Sequence, residues 1–181
     1  TFNDDVGDNS NPLYANIGNE EPNTLPVPMI NIVNGGEHAN NKINIQEFMI
    51  MPVSATSMAE ACQMGSEVYH ALKKEINQQG FSTAVGDEGG FAPDFRSTTQ
   101  TLDVIVSAIE NCGLVSGNDI YLALDCAATE YFDGMCYNLS GEDLKFSSKE
   151  NMEFLRGLIK NFPIISIEDG MAEDDWEGWK M

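Results

Sequence analysis

The pattern of apolar and polar positions changes period several times along the chain, and each change marks an element. Residues 27–33 form a short β-rich run that ends in Asn34-Gly35-Gly36, a turn signal. Residues 48–51 make a second strand, with Gln46 and Glu47 at its start and Pro52 closing it. The two runs predict an antiparallel pair, although the loop between them, which carries His38, is long for a hairpin. From Ser57 the period becomes helical. Ser57-Met58-Ala59-Glu60 has the capping-box pattern, and Met58, Ala61, Cys62, Gly65, Val68, Tyr69, Leu72 and Ile76 recur on one face until Gly80. Leu102, Ile105, Val106 and Ile109 predict a second helix, ended by Gly113. His70, on the first helix, has no partner in view and reads as structural.

The second half is built differently. Residues 120–124 are apolar almost without interruption, as a strand covered on both faces requires, and the run stops at Asp125. Residues 131–139 read as a hairpin around Asp133-Gly134. Ser147 to Glu150 open a third helix carrying Met152, Leu155, Leu158 and Ile159, which Pro163 stops. Residues 164–167 are another buried strand, running into Glu168-Asp169-Gly170. An acidic tail with Trp176 and Trp179 follows.

Composition narrows the classes of function. The 181 residues are 42% hydrophobic, enough for one domain or a large part of one. Nine basic residues against 29 acidic ones give a net charge of -20, which argues against nucleic-acid or acidic-lipid partners. The same surplus suits a site that gathers divalent cations through oxygen ligands. Cys62, Cys112, Cys126 and Cys136 lie far apart, so reduced thiols are expected, and two histidines are too few for a His-rich zinc site. No apolar run reaches membrane-spanning length. Residues 1–12 are polar and rich in Asp and Asn. Asp4, Asp5 and Asp8 miss the spacing of a calcium loop, so a frayed terminus is expected there.

The candidate chemistry is carboxylate chemistry. In Gly86-Asp87-Glu88-Gly89-Gly90-Phe91-Ala92-Pro93, two acids sit among glycines, where neither helix nor strand interior can form. A Glu on such a loop can be aimed into a cleft as an acid or base. Two apolar strands each end in an acid, Asp125 and Glu168, at a spacing that leaves room for loop, helix and return. That is the pattern of an α/β barrel, with its site at the C-terminal strand ends, and eight such units need about 250 residues. Four acids (Glu47, Glu88, Asp125 and Glu168) converging on one mouth would repel one another unless a hard cation held them, and magnesium fits oxygen ligands.

Five stretches together resemble the enolase family. They are residues 25–39 with Asn34-Gly35-Gly36-Glu37-His38, Gln46-Glu47-Phe48-Met49-Ile50, residues 84–93 around Glu88, Leu124-Asp125-Cys126-Ala127-Ala128, and Ser166-Ile167-Glu168-Asp169-Gly170. The match runs from about Pro12 onward, and the Glu168-Asp169-Gly170 and Trp176 region looks more like bacterial members. The resemblance implies an α/β fold: a partial enolase-type (β/α) barrel holding the first four strands, in the order ββαα then βαβ. It implies that residues 1–24 end an N-terminal domain and linker, and that 25–181 form the N-terminal half of the barrel domain. It also implies magnesium-dependent dehydration of 2-phosphoglycerate to phosphoenolpyruvate. In that scheme Asp125 and Glu168 are metal ligands, Glu88 assists loss of the hydroxyl, and His38, Glu47 and Glu168 contact substrate. Cytoplasmic location, with a secreted or cell-surface fraction as in related proteins, and a dimer or octamer of the full-length protein are implied as well.

The family's third metal carboxylate, base lysine and later substrate-binding residues are expected after Met181, and its first lid before Thr1. Residues 1–181 alone are therefore expected to be inactive. Two alternative readings compete. Acid-sugar dehydratases and racemases of the same superfamily carry a Lys-x-Lys base where this chain has Gln46-Glu47-Phe48. A non-catalytic binding role does not require His38, Glu47, Glu88, Asp125 and Glu168 together.

Overall fold

The structure, a computed structural model, describes Tyr14 and residues 24–181. The expectations for residues 1–12 and most of the linker to 24 lie outside the described residues. Within the described residues the strands and α-helices follow in order: β1 (Ile30–Asn34), β2 (Glu47–Met51), α1 (Met58–Gln78), α2 (Thr98–Asn111), β3 (Tyr121–Asp125), β4 (Tyr137–Leu139), β5 (Leu144–Phe146), α3 (Ser148–Asn161), β6 (Ile164–Glu168) and α4 (Trp176–Lys180). The main sheet runs β1-β2-β3-β6, so β1 and β6 are its edges among the described residues, with Ile165 on β6 51% exposed. β1 and β3 both pair antiparallel with β2, while β3 and β6 are parallel. The expected ββαα then βαβ order is present. No closed barrel forms among the described residues.

The two faces of the sheet differ sharply. Val33, Phe48, Ile50, Leu122, Leu124 and Ile164 are buried in one core with the apolar stripes of α1 (Val68, Leu72, Ile76) and α2 (Leu102, Ile105, Ile109). The pairing registers put a polar row on the other face, Asn34, Glu47, Asp125 and Glu168. Helix starts follow their caps. Ser57, Ser97 and Ser147 each accept a hydrogen bond from the backbone N–H three residues on. Ser147 and Glu150 complete a capping box, whereas Glu60 reaches past Ser57 to the N–H and hydroxyl of Thr56.

Two expectations need correction. The hairpin expected at 131–139 is instead β4 paired antiparallel with β5, turning through Ser140–Glu142 and the left-handed Asp143 (φ 55°). Asp133-Gly134 makes only a tight turn, closed by an isolated bridge between Phe132 and Tyr137. Asp133 commits its carboxylate to the N–H groups of Met135 and Cys136, which stabilises the turn without continuing a strand. The second correction concerns the mouth. Glu47 does open its strand, as the sequence indicates; because β2 is antiparallel to β3, that strand start lies beside the C-terminal ends of β3 and β6, so the site is not built from strand C-terminal ends alone as expected.

Candidate active site

The row at the mouth is set by backbone pairing. Asn34 faces Glu47, Glu47 faces Asp125, and Asp125 faces Glu168 across successive strands. Neighbouring strands lie about 4.8 Å apart, so the three carboxylates are held close by the ladder itself. Pairing persists to the very end: Gln46 N–H donates to Asp125 O at 3.1 Å, and Cys126 N–H to Glu168 O at 2.9 Å. Just beyond, Ala127 and Asp169 adopt left-handed φ of 43° and 46°, an unfavourable conformation for residues with a Cβ. Ala127 is held there by its N–H donating to Asp125 Oδ1 at 3.0 Å, and Asp169 O accepts from Ala128 N–H at 3.0 Å.

Two loops complete the mouth. The β1–β2 loop folds back over the sheet, with Gly35 N–H bonded to Gln46 O and Gly36 N–H to Ile43 O. Asn41 donates to both Asn34 O and Pro93 O, tying this loop to the segment after Glu88. His38 Nδ1 thereby comes 3.4 Å from Glu47 Oε1, an ion-pair distance when the imidazole is protonated. The Glu88 loop docks on β1 through Phe91 N–H to Ile32 O (2.9 Å) and Asn34 N–H to Phe91 O (2.8 Å). Asp87 N–H donates to His38 O at 3.1 Å. A ligand atom from each of His38, Glu47 and Glu88 lies within 4.8 Å of the others.

The sequence-predicted residues therefore meet at one end of the sheet, in two groups. His38, Glu47 and Glu88 cluster tightly. Asp125 and Glu168 stand beside them in the strand register, Asp125 half-buried and Glu168 exposed. Glu47 joins the groups. Burial raises its pKa first, the charge of Asp125 raises it further, His38 opposes, and Glu88 and Glu168 add smaller upward pushes. A carboxyl destabilised by three neighbouring acids is the electrostatic signature of a site short of positive charge. Asp125 and Glu168 offer hard oxygen donors there, so the donor set fits a magnesium ion.

Sequence reasoning missed Asn34 and Tyr69. Asn34 is fully buried beneath the Glu88 loop, and neither atom of its amide has a protein partner among the described residues. Its place in the polar row depends on strand register, which no local pattern reveals. Tyr69 falls on the apolar stripe of α1 by spacing; its hydroxyl instead donates to Gly89 O at 2.8 Å. His70 is exposed, in edge contact with Tyr69 at 6.3 Å. The four cysteines are free. No helix among the described residues is long and apolar enough to cross a membrane. Residues 22–181 match the family described as enolase, C-terminal TIM barrel domain. Because that match spans most of its length, this chain belongs to the enolase family, within its C-terminal barrel domain.

Proposed function

We propose that the full-length protein is a magnesium-dependent lyase that removes water from 2-phosphoglycerate to give phosphoenolpyruvate. The observation that carries this reading is the in-register row Glu47-Asp125-Glu168 with Glu88 and His38 closing on Glu47. Asp125 and Glu168 would hold the magnesium, with Glu168 also reaching substrate. When bound, the ion supplies positive charge beside the substrate carboxylate, which lowers the cost of removing the neighbouring proton. Glu88 stands on its loop as the acid that gives a proton to the departing hydroxyl. His38 and Glu47 orient the substrate, and their 3.4 Å contact fixes each against the other. The family resemblance assigns the proton-abstracting lysine to a position outside residues 1–181, so on this reading these residues alone hold the acid without the base. Residues 1–24 would close an N-terminal domain and 25–181 begin the barrel. A cytoplasmic dimer or octamer, with a secreted or cell-surface fraction, belongs to the same proposal.

The test is phosphoenolpyruvate formation by the full-length protein, followed by its absorbance, with and without a chelator. Activity that is lost on chelation, returns with magnesium and disappears in Glu88→Gln supports the reading. Undiminished turnover in chelator or in Glu88→Gln refutes it. Preference for an acid sugar over 2-phosphoglycerate would instead favour the dehydratase alternative.

A further inference from the structure

Glu88 is exposed, so its aim depends on how its loop is held. Both flanks of that loop are fastened to backbone: Phe91 to β1, and Asp87 to His38 O. The tip is different. Gly89 has a left-handed φ of 82°, and within the loop its N–H returns to Gly86 O at 3.1 Å. Its carbonyl accepts from Tyr69 on α1. The Tyr69 ring also stacks on Phe91 at 4.2 Å and 18°. One side chain thus grips the loop at its tip and its downstream root. Burial pushes the phenol pKa upward, so the hydroxyl keeps its proton and remains a donor.

We infer that Tyr69 is a positioning residue for Glu88: it latches the tip of the loop from α1 and sets the direction of the acid. The inference rests on the lyase reading for its catalytic consequence, but the latch itself does not. Tyr69→Phe in the full-length protein keeps the ring stack and deletes only the bond to Gly89 O. Amide exchange at Gly86, Asp87 and Gly89, the three donors of the loop, is expected to rise about fivefold, the worth of one net hydrogen bond. Exchange at Asn34 and Phe91, held by β1, is expected to stay unchanged. With 2-phosphoglycerate, kcat is expected to fall about fivefold while KM holds and Tm drops by about 2–4 °C at most, a split that loss of packing would not produce. Tyr69→Leu, which also removes the stack, is expected to lower Tm further. Unchanged exchange at the three loop amides overturns the latch. Faster exchange with kcat within about twofold of the parent overturns its role in aiming Glu88. If the parent makes no phosphoenolpyruvate, the lyase reading falls and the exchange result alone decides the latch.

Discussion

Replacing Gly86 by alanine should show how closely the two loops of the mouth are fitted. A Cβ at that position would lie 2.6 Å from His38 O, 2.8 Å from Asn34 Cβ and 3.1 Å from Asn34 Cγ. Carbon pairs prefer about 3.5–4.0 Å, so the neighbours must retreat by roughly 1 Å. Neither can do so freely. His38 O accepts from Asp87, and Asn34 is buried in β1. Overpacking of this kind costs about 1–3 kcal/mol, and losing the Asp87 bond adds about 1 kcal/mol. A total of about 2–4 kcal/mol should appear as a lower urea midpoint. The retreat also carries Glu88 away from Glu47, and a misplacement of about 1 Å can cost about 100-fold in turnover. Gly157→Ala is the control. That glycine lies in α3 with nothing within 4 Å of an added Cβ, so the substitution should stabilise by roughly 0.5–1 kcal/mol. An unchanged midpoint and unchanged turnover in Gly86→Ala would refute the reasoning.

Three further outcomes are expected. Glu47 has a folded-state pKa above 4.5, so ionising it costs the folded protein something that the unfolded chain is spared. The parent should lose stability relative to Glu47→Gln as pH rises from 4.5 through the raised value, and match it below 4.5; urea titrations at several pH values check this. Cys126 is fully buried, and burial with the neighbouring Asp125 charge pushes its thiol up to about 12. Iodoacetamide at about pH 8 should therefore label exposed Cys62 and spare Cys126, as peptide mass mapping would read. Asp125→Asn and Glu168→Gln should each raise the magnesium concentration needed for half-maximal activity in the full-length protein by roughly tenfold or more, while Asp103→Asn on α2 should not.

Much of this architecture was legible locally. Serines at 57 and 147 followed by apolar stripes announced two helices, because capping and periodicity act within a few residues. The acids at 125 and 168 were visible because each ends an apolar strand. What escaped depends on partners distant in sequence. The antiparallel pairing of β2 with β3 is such a case: it sets the start of β2, and so Glu47, beside the C-terminal ends of β3 and β6. Asp133-Gly134 carries the local chemistry of a hairpin turn, yet Tyr137–Leu139 takes Leu144–Phe146 as its partner. Tyr69 fits an apolar stripe by spacing, and only tertiary packing shows its hydroxyl reaching Gly89 O. The reversal of β2 also brings both ends of the long β1–β2 loop to the mouth. It never leaves the mouth, so it can carry His38 to Glu47.

The placement of β6 at the rim of the sheet bears on colloidal behaviour. In residues 1–181 taken by themselves, a strand border with exposed Ile165 can accept a further strand, whether from the same domain or from another molecule. Each molecule also carries a net charge of -20, so two such borders approach only against mutual repulsion. The reach of that repulsion shrinks from about 30 Å at 0.01 M salt to about 3 Å at 1 M. Solutions of residues 1–181 should stay clear in dilute buffer and turn turbid as salt is added, the inverse of ordinary salting-in.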